Sequence, residues 1–173
     1  MDAPRTLTFA SVSEAVAEVD RLRERGYRSL GNWDLRQSCE HLADWLGFAI
    51  DGFPPQPLLA RPAFWLIRNT LAPRMMRKTL AKGRMSAGLP TAPSTVHPPL
   101  EAGAGDERAA EEAAIERFQA TVARFVAHQG EYAPSPMFGQ ATRDEVQQMH
   151  ALHCALHLGF LEPIDSTEEA DVT

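Results

Sequence analysis

Apolar residues recur at helical spacing in five stretches of the chain and show no sustained strand alternation. Val12, Ala15, Val16, Val19 and Leu22 share one face of a first helix, with charges opposite them and Gly26 at its end. Ser11 and Glu14 before it have the spacing of a capping box. Asp34 is placed to cap a second helix, whose stripe is Leu35, Ser38, Leu42, Trp45, Leu46 and Ala49. The run Gly52-Phe-Pro-Pro-Gln-Pro57 breaks it. Ala60 to Leu71 is a third helical run with Phe64, Trp65, Ile67 and Leu71, and Pro73 is predicted to kink or split it. Met75 to Lys82 continues as a short basic amphipathic segment.

From Arg84 to Gly105 prolines, glycines and threonines predict a long loop, a length common in lids and site walls. Asp106 to Gln129 reads as the fourth helix, with Ala110, Ile115, Phe118, Val122, Phe125 and Val126 inward. After an irregular Glu131–Gly139 connection, Thr142 and Glu145 form a second capping-box pattern. The last helix then runs to about Leu161, before Pro163, and residues 163–173 read as a mobile acidic tail. Arg5 to Phe9 alternates briefly and is expected to be extended. With no convincing sheet, the fold expected is an all-α bundle forming a single domain over residues 1–173.

Composition narrows the function. A chain of 173 residues with 44% hydrophobic and 23% charged residues suits a soluble globular protein with a full core. A net charge of −6 argues against nucleic acid as the main partner. Cys39 and Cys154 form no CxxC pair or disulfide framework, which fits a reducing cytoplasm. No signal peptide and no stretch long enough for stable membrane insertion are visible. The charge is segregated, however. Arg61, Arg68, Arg74, Arg77, Lys78, Lys82 and Arg84 lie in an interval with no acid between Asp51 and Glu101. Such a sector can receive an anionic substrate, a lipid surface or the chain's own acidic helices. Peripheral membrane contact through Phe64 to Lys82 is one form of the second.

The last helix carries the candidate chemistry. His150, His153 and His157 fall within roughly 100° of arc on one face. His153 and His157 stand at i and i+4, the spacing by which two imidazoles chelate one divalent ion. The glutamate of a metalloprotease motif is missing, with Leu156 in the same turn, so the pair alone is weak evidence and reads more readily as a histidine-rich face. His41 lies on the apolar side of the second helix and is the natural third ligand, because bundle cores build metal sites from facing helices. The competing reading is three hydrogen-bonded core histidines. His150, one turn earlier, is a candidate fourth ligand, orienting partner or proton shuttle, or a partly exposed residue at the bundle end. His97, in the long loop, is expected to be exposed or to pack locally.

Gln37 and Asp44 flank His41 at i−4 and i+3, where one of them can orient its ring, although a structural role is the commoner outcome. Cys39 and Cys154 are rotated away from the neighbouring histidines and read as buried small hydrophobes. Trp33, Trp45, Phe64 and Trp65 read as core, with one of them free to wall a pocket.

The segments Trp33…Gln37-Ser-Cys-Glu-His41-Leu and His153-Cys-Ala-Leu-His157-Leu-Gly-Phe together resemble the DinB/YfiT-like family of metalloenzyme-like bundles. Arg5-Thr-Leu-Thr-Phe9 and Pro136-Met-Phe-Gly139 point to a subgroup known only by a domain-of-unknown-function label. The resemblance implies a four-helix bundle, here with an extra short helical segment and the long loop. It implies a divalent metal held by His41, His153 and His157, zinc or nickel first, iron or manganese next. It also implies a metal-dependent thiol S-transferase or hydrolase acting on a small molecule, with a low-molecular-weight thiol in the first case, and often a homodimer. Leu158 stands where many relatives carry a basic residue. A non-catalytic metal-binding or interaction module is the alternative.

Overall fold

A computed structural model describes residues 4–88, 91–100 and 106–164. Its helices are α1 (Val12–Arg25), α2 (Leu35–Asp51), α3 (Arg61–Thr70), α4 (Ala72–Lys82), α5 (Glu107–Ala127) and α6 (Arg143–Leu158). Two three-residue strands, β1 (Tyr27–Ser29) and β2 (Leu161–Pro163), pair antiparallel. Side-chain caps start α2, α5 and α6. Asp34 and Gln37 form a reciprocal box at α2, and Thr142 and Glu145 do so at α6. Ser11 does not complete the box expected at α1: Glu14 accepts from the Ala10 N–H, but the serine hydroxyl caps nothing.

The bundle is made by α2 against α5 and α1 against α6, with α1–α5 and α2–α6 closing it. Leu22, Leu42, Leu46, Ile115, Phe118, Phe125 and Leu158 fill its centre and are fully buried. Each such side chain contributes about 1.5–3 kcal/mol through removal from water. By the same measure α3 is outside the core, because none of its residues is buried. Phe64 is only half-buried and Trp65 is exposed, so neither is the core residue expected from its helical spacing. Val126 likewise faces solvent near the end of α5.

Pro73 splits the third run as expected. The chain breaks at Leu71, and the proline takes an early position of α4, where its missing N–H leaves no bond unmade. The end of α6 departs from expectation. The helix stops at Leu158, the chain turns, and Leu161 to Pro163 pairs with β1 in the register Tyr27↔Pro163 and Ser29↔Leu161. Arg5 to Phe9 forms no strand, but it is anchored. The Arg5 N–H donates to the Gly159 carbonyl at 2.8 Å, and its guanidinium reaches Glu18 at 2.6 Å. Within the predicted loop over 84–105, a 3₁₀ turn at Pro93–Thr95 buries Thr95 completely. The predicted acidic tail beyond Ile164 lies outside the described residues.

Candidate metal centre

α2 and α6 pack side by side, and this alone brings the predicted histidines together. His41 is buried on α2, while His153 and His157 are half-buried one turn apart on α6. One ring nitrogen from each lies within 4.8 Å of the other two. The Nε2 atoms of His41 and His153 are 3.2 Å apart. Two ligands of a tetrahedral ion at 2.0–2.1 Å from the metal stand roughly 3.3 Å apart, so this pair already spans an edge of such a site.

The tautomer of His41 follows from one contact. Its Nδ1 lies 2.9 Å from the Thr95 carbonyl oxygen, which can only accept, so Nδ1 carries the proton. In a neutral ring the lone pair is then on Nε2, facing His153. Burial keeps the rings neutral. It lowers the His41 pKa, although the Thr95 bond and the charge of Asp44 oppose this. Burial, and then the neighbouring rings, hold His153 well below its ordinary value, and burial next to His41 brings His157 to about 3. Neutral imidazoles are the form that binds metal. Trp33 stacks on His157 at 5.2 Å, and Trp45 meets His153 edge-on at 5.8 Å. These two tryptophans therefore flank the histidines instead of entering the core.

Neither Gln37 nor Asp44 touches the His41 ring. Both instead hold the segment that does. Gln37 donates to the His97 carbonyl, and Arg36 donates to the Pro98 carbonyl. Asp44 accepts from the His97 ring at 2.8 Å and from Arg117 of α5 at 2.6 Å. Glu40 faces the other His97 nitrogen at 3.3 Å. His97 thus packs locally and keeps the 3₁₀ turn, with its Thr95 carbonyl, against α2.

The histidines open onto a cavity of about 690 Å³ between α2, α4, α6 and the loops after α4 and α5. Its wall is soft and apolar. Met75, Met76, Met85, Met137 and Met149, every methionine beyond the first residue, line it together with Phe53, Phe138 and Phe160. Among the described residues Glu145 is the only charged side chain on the wall, and its carboxylate is occupied by Thr142. None of the seven basic residues between Asp51 and Glu101 lines the cavity. His150 does, standing edge-on to Phe125 at 5.1 Å, and burial lowers its pKa to about 4. It lies outside the three-histidine cluster. Cys39 and Cys154 are fully buried, and loss of water raises both thiols, that of Cys154 to about 12. They are inert packing residues, as expected.

Residues 1–164 match the model of the DUF1569 family, described as a protein of unknown function. The chain belongs to the DUF1569 family. Comparison with curated proteins and with solved structures gives no significant match. In this DUF1569 chain the structure brings His41 of α2 together with the His153 and His157 pair of α6, and leaves His97 and His150 outside the cluster. Sequence reading missed the Thr95 carbonyl, because any residue type offers a backbone acceptor. It also missed the methionine lining, which is visible only as a late clustering of five methionines between residues 75 and 149.

Proposed function

We propose that this DUF1569 chain is a metalloprotein of the DinB/YfiT-like kind. His41, His153 and His157 bind one divalent ion, and an apolar small molecule is processed beside it. The observation that carries this reading is the convergence of three neutral imidazoles, one locked by Thr95 with its lone pair inward. A bare trio of core histidines gains nothing from opening onto a cavity. Three ligands leave coordination positions free, and an ion so held acts as a Lewis acid that makes a bound water or thiol nucleophilic near neutral pH. Zinc and nickel suit the all-imidazole set, with iron or manganese as further candidates.

The chain's own residues favour thiol transfer over hydrolysis. Among the described residues, no carboxylate or lysine is free on the cavity wall to act as a base toward water. A thiol, already much more acidic than water, needs less help. His150, neutral at pH 7 and outside the three-histidine cluster, is a wall residue able to accept a proton. The indole N–H of Trp45 has no partner among the described residues and can donate to a ligand. The wall offers an apolar body of the substrate adaptable methionine contacts. None of the seven basic side chains of the sector lines the pocket, so an anionic thiol would not be held there by their direct contact. The same shortage of bases favours a second reading, a metal-binding module without catalysis.

A screen of the metal-loaded protein against electrophiles, with and without small thiols, separates the two. Thiol-dependent turnover that is lost in His153→Ala supports transfer. Stoichiometric metal with no turnover of any electrophile supports the module.

A further inference from the structure

α3 and α4 run on from one another through Leu71, which stays in helical conformation, and this kinked segment presents an outer face that the fold leaves unpartnered. Before it, Leu58 is 74% exposed and Leu59 is 97% exposed, and on it Trp65 is 61% and Leu66 56% exposed. Large apolar side chains at such exposure, gathered within nine positions, are unusual on a soluble surface. Around them stand seven exposed cations, from Arg61 to Arg84, in a sector with no acid. None of the seven forms an ion pair among the described residues, whereas other arginines of the chain are paired with carboxylates. The acidic helices therefore do not neutralise this sector. α3 itself packs mainly on α4 and the 3₁₀ turn before it, so little core holds it down.

We propose that the kinked α3–α4 segment docks on the surface of an anionic lipid bilayer. Leucine and tryptophan on one element with arginine and lysine beside them is the composition of a helix lying in the membrane interface. Tryptophan rings settle at headgroup depth, and clustered cations are drawn to anionic lipid. Charge decides against a second copy of this chain as the occupant. A two-fold interface sets a patch against itself, and here it would oppose seven cations to seven with no acid between them. The docking is peripheral, since no described helix is long and apolar enough to cross a membrane.

The same segment is also a cavity wall. α4 turns Arg74, Arg77 and Lys78 outward and contributes Met75, Met76 and Thr79 to the lining. A docked α4 places the apolar cavity beside the lipid, and the ligand class that fits is an amphiphile drawn from the bilayer. That last step rests on the metal-site reading above; the docking does not.

The test is co-sedimentation of the full chain with phosphatidylglycerol–phosphatidylcholine vesicles and with phosphatidylcholine vesicles alone. Anionic vesicles are expected to bind at least about tenfold more tightly, with the difference shrinking as salt is added. Leu59→Asp/Trp65→Asp and Arg74→Glu/Lys78→Glu alter exposed residues only, and each is expected to lose binding while keeping the wild-type melting temperature. Quenching of tryptophan emission by brominated lipid should vanish in Trp65→Phe. Absence of binding by the wild type at low salt, or wild-type binding by both double variants, overturns the proposal. So does a wild-type dimer in light scattering that Leu59→Asp/Trp65→Asp splits without any vesicle binding. Metal content measured on the same samples reads the histidine site alone, so failure of docking and failure of the metal site are distinguishable.

Discussion

His41 and His153 are 112 positions apart in the chain and 3.2 Å apart at their Nε2 atoms. What makes this closeness useful is the hydrogen bond on the far side of the His41 ring, from Nδ1 to Thr95. Without it the ring is free to present either nitrogen, and the ligand set loses its preorganisation. The clamp of Gln37, Glu40 and Asp44 on the His97 segment supports that bond. Asp44→Asn should therefore weaken metal binding by roughly tenfold in chelator competition without removing a ligand. Unchanged affinity would mean that Thr95 keeps its place without the clamp. The three-histidine cluster was legible because His153 and His157 stand at i, i+4 and His41 lies on the apolar side of α2, and both are readable from the sequence. The orienting group was not, because Gln37 and Asp44 act on the loop and the loop acts through a carbonyl.

Among the elements, α6 carries two of the three clustered histidines and ends abruptly, and Gly159 explains why the end is tight. A Cβ there would stand 2.7 Å from the Arg5 carbonyl oxygen and 2.9 Å from that of Ala155. Its φ of −62° is ordinary, so close approach, and not handedness, demands glycine. Gly159→Ala should cost about 1–3 kcal/mol by overpacking against backbone that cannot yield. Urea denaturation reads this, and a wild-type midpoint would contradict it. At the other end, Thr142→Ala should destabilise by about 1 kcal/mol through loss of the capping box.

The helices and two of their caps were readable because apolar period and cap chemistry are local. The β1–β2 pair was not. Three residues are too few to show alternation, and Pro163 reads as a breaker although it sits at the strand's end opposite Tyr27. The third run misled for another reason. Its apolar spacing is as regular as that of a core helix, and the pattern does not say whether protein or another phase covers it.

For the molecule as a whole, burying several neutral histidines makes stability depend on pH. Their folded pKa values lie below the ordinary 6.5, with His150 at about 4 and His157 at about 3. Above 6.5 both folded and unfolded chains hold them neutral, and they contribute nothing. As pH falls below 6.5 the unfolded chain takes up protons that the folded chain refuses, so stability declines until the folded values are reached. The metal-free protein should accordingly melt at a lower temperature at pH 5 than at pH 7, by scanning calorimetry. A melting temperature independent of pH across that window would show that these rings are not held neutral. Added zinc should raise the melting temperature at pH 7 and a chelator should reverse the rise, since the ion binds only the folded arrangement.

All of this turns on whether the three histidines hold an ion. Elemental analysis of the chain, purified without chelators and without nickel affinity resin, tests that most directly. The account predicts about one equivalent of a divalent transition metal per chain, and close to none in His41→Ala or His157→Ala with the fold intact. Full metal content in either variant, or metal-free wild type that takes up no ion when zinc or nickel is offered, would contradict it.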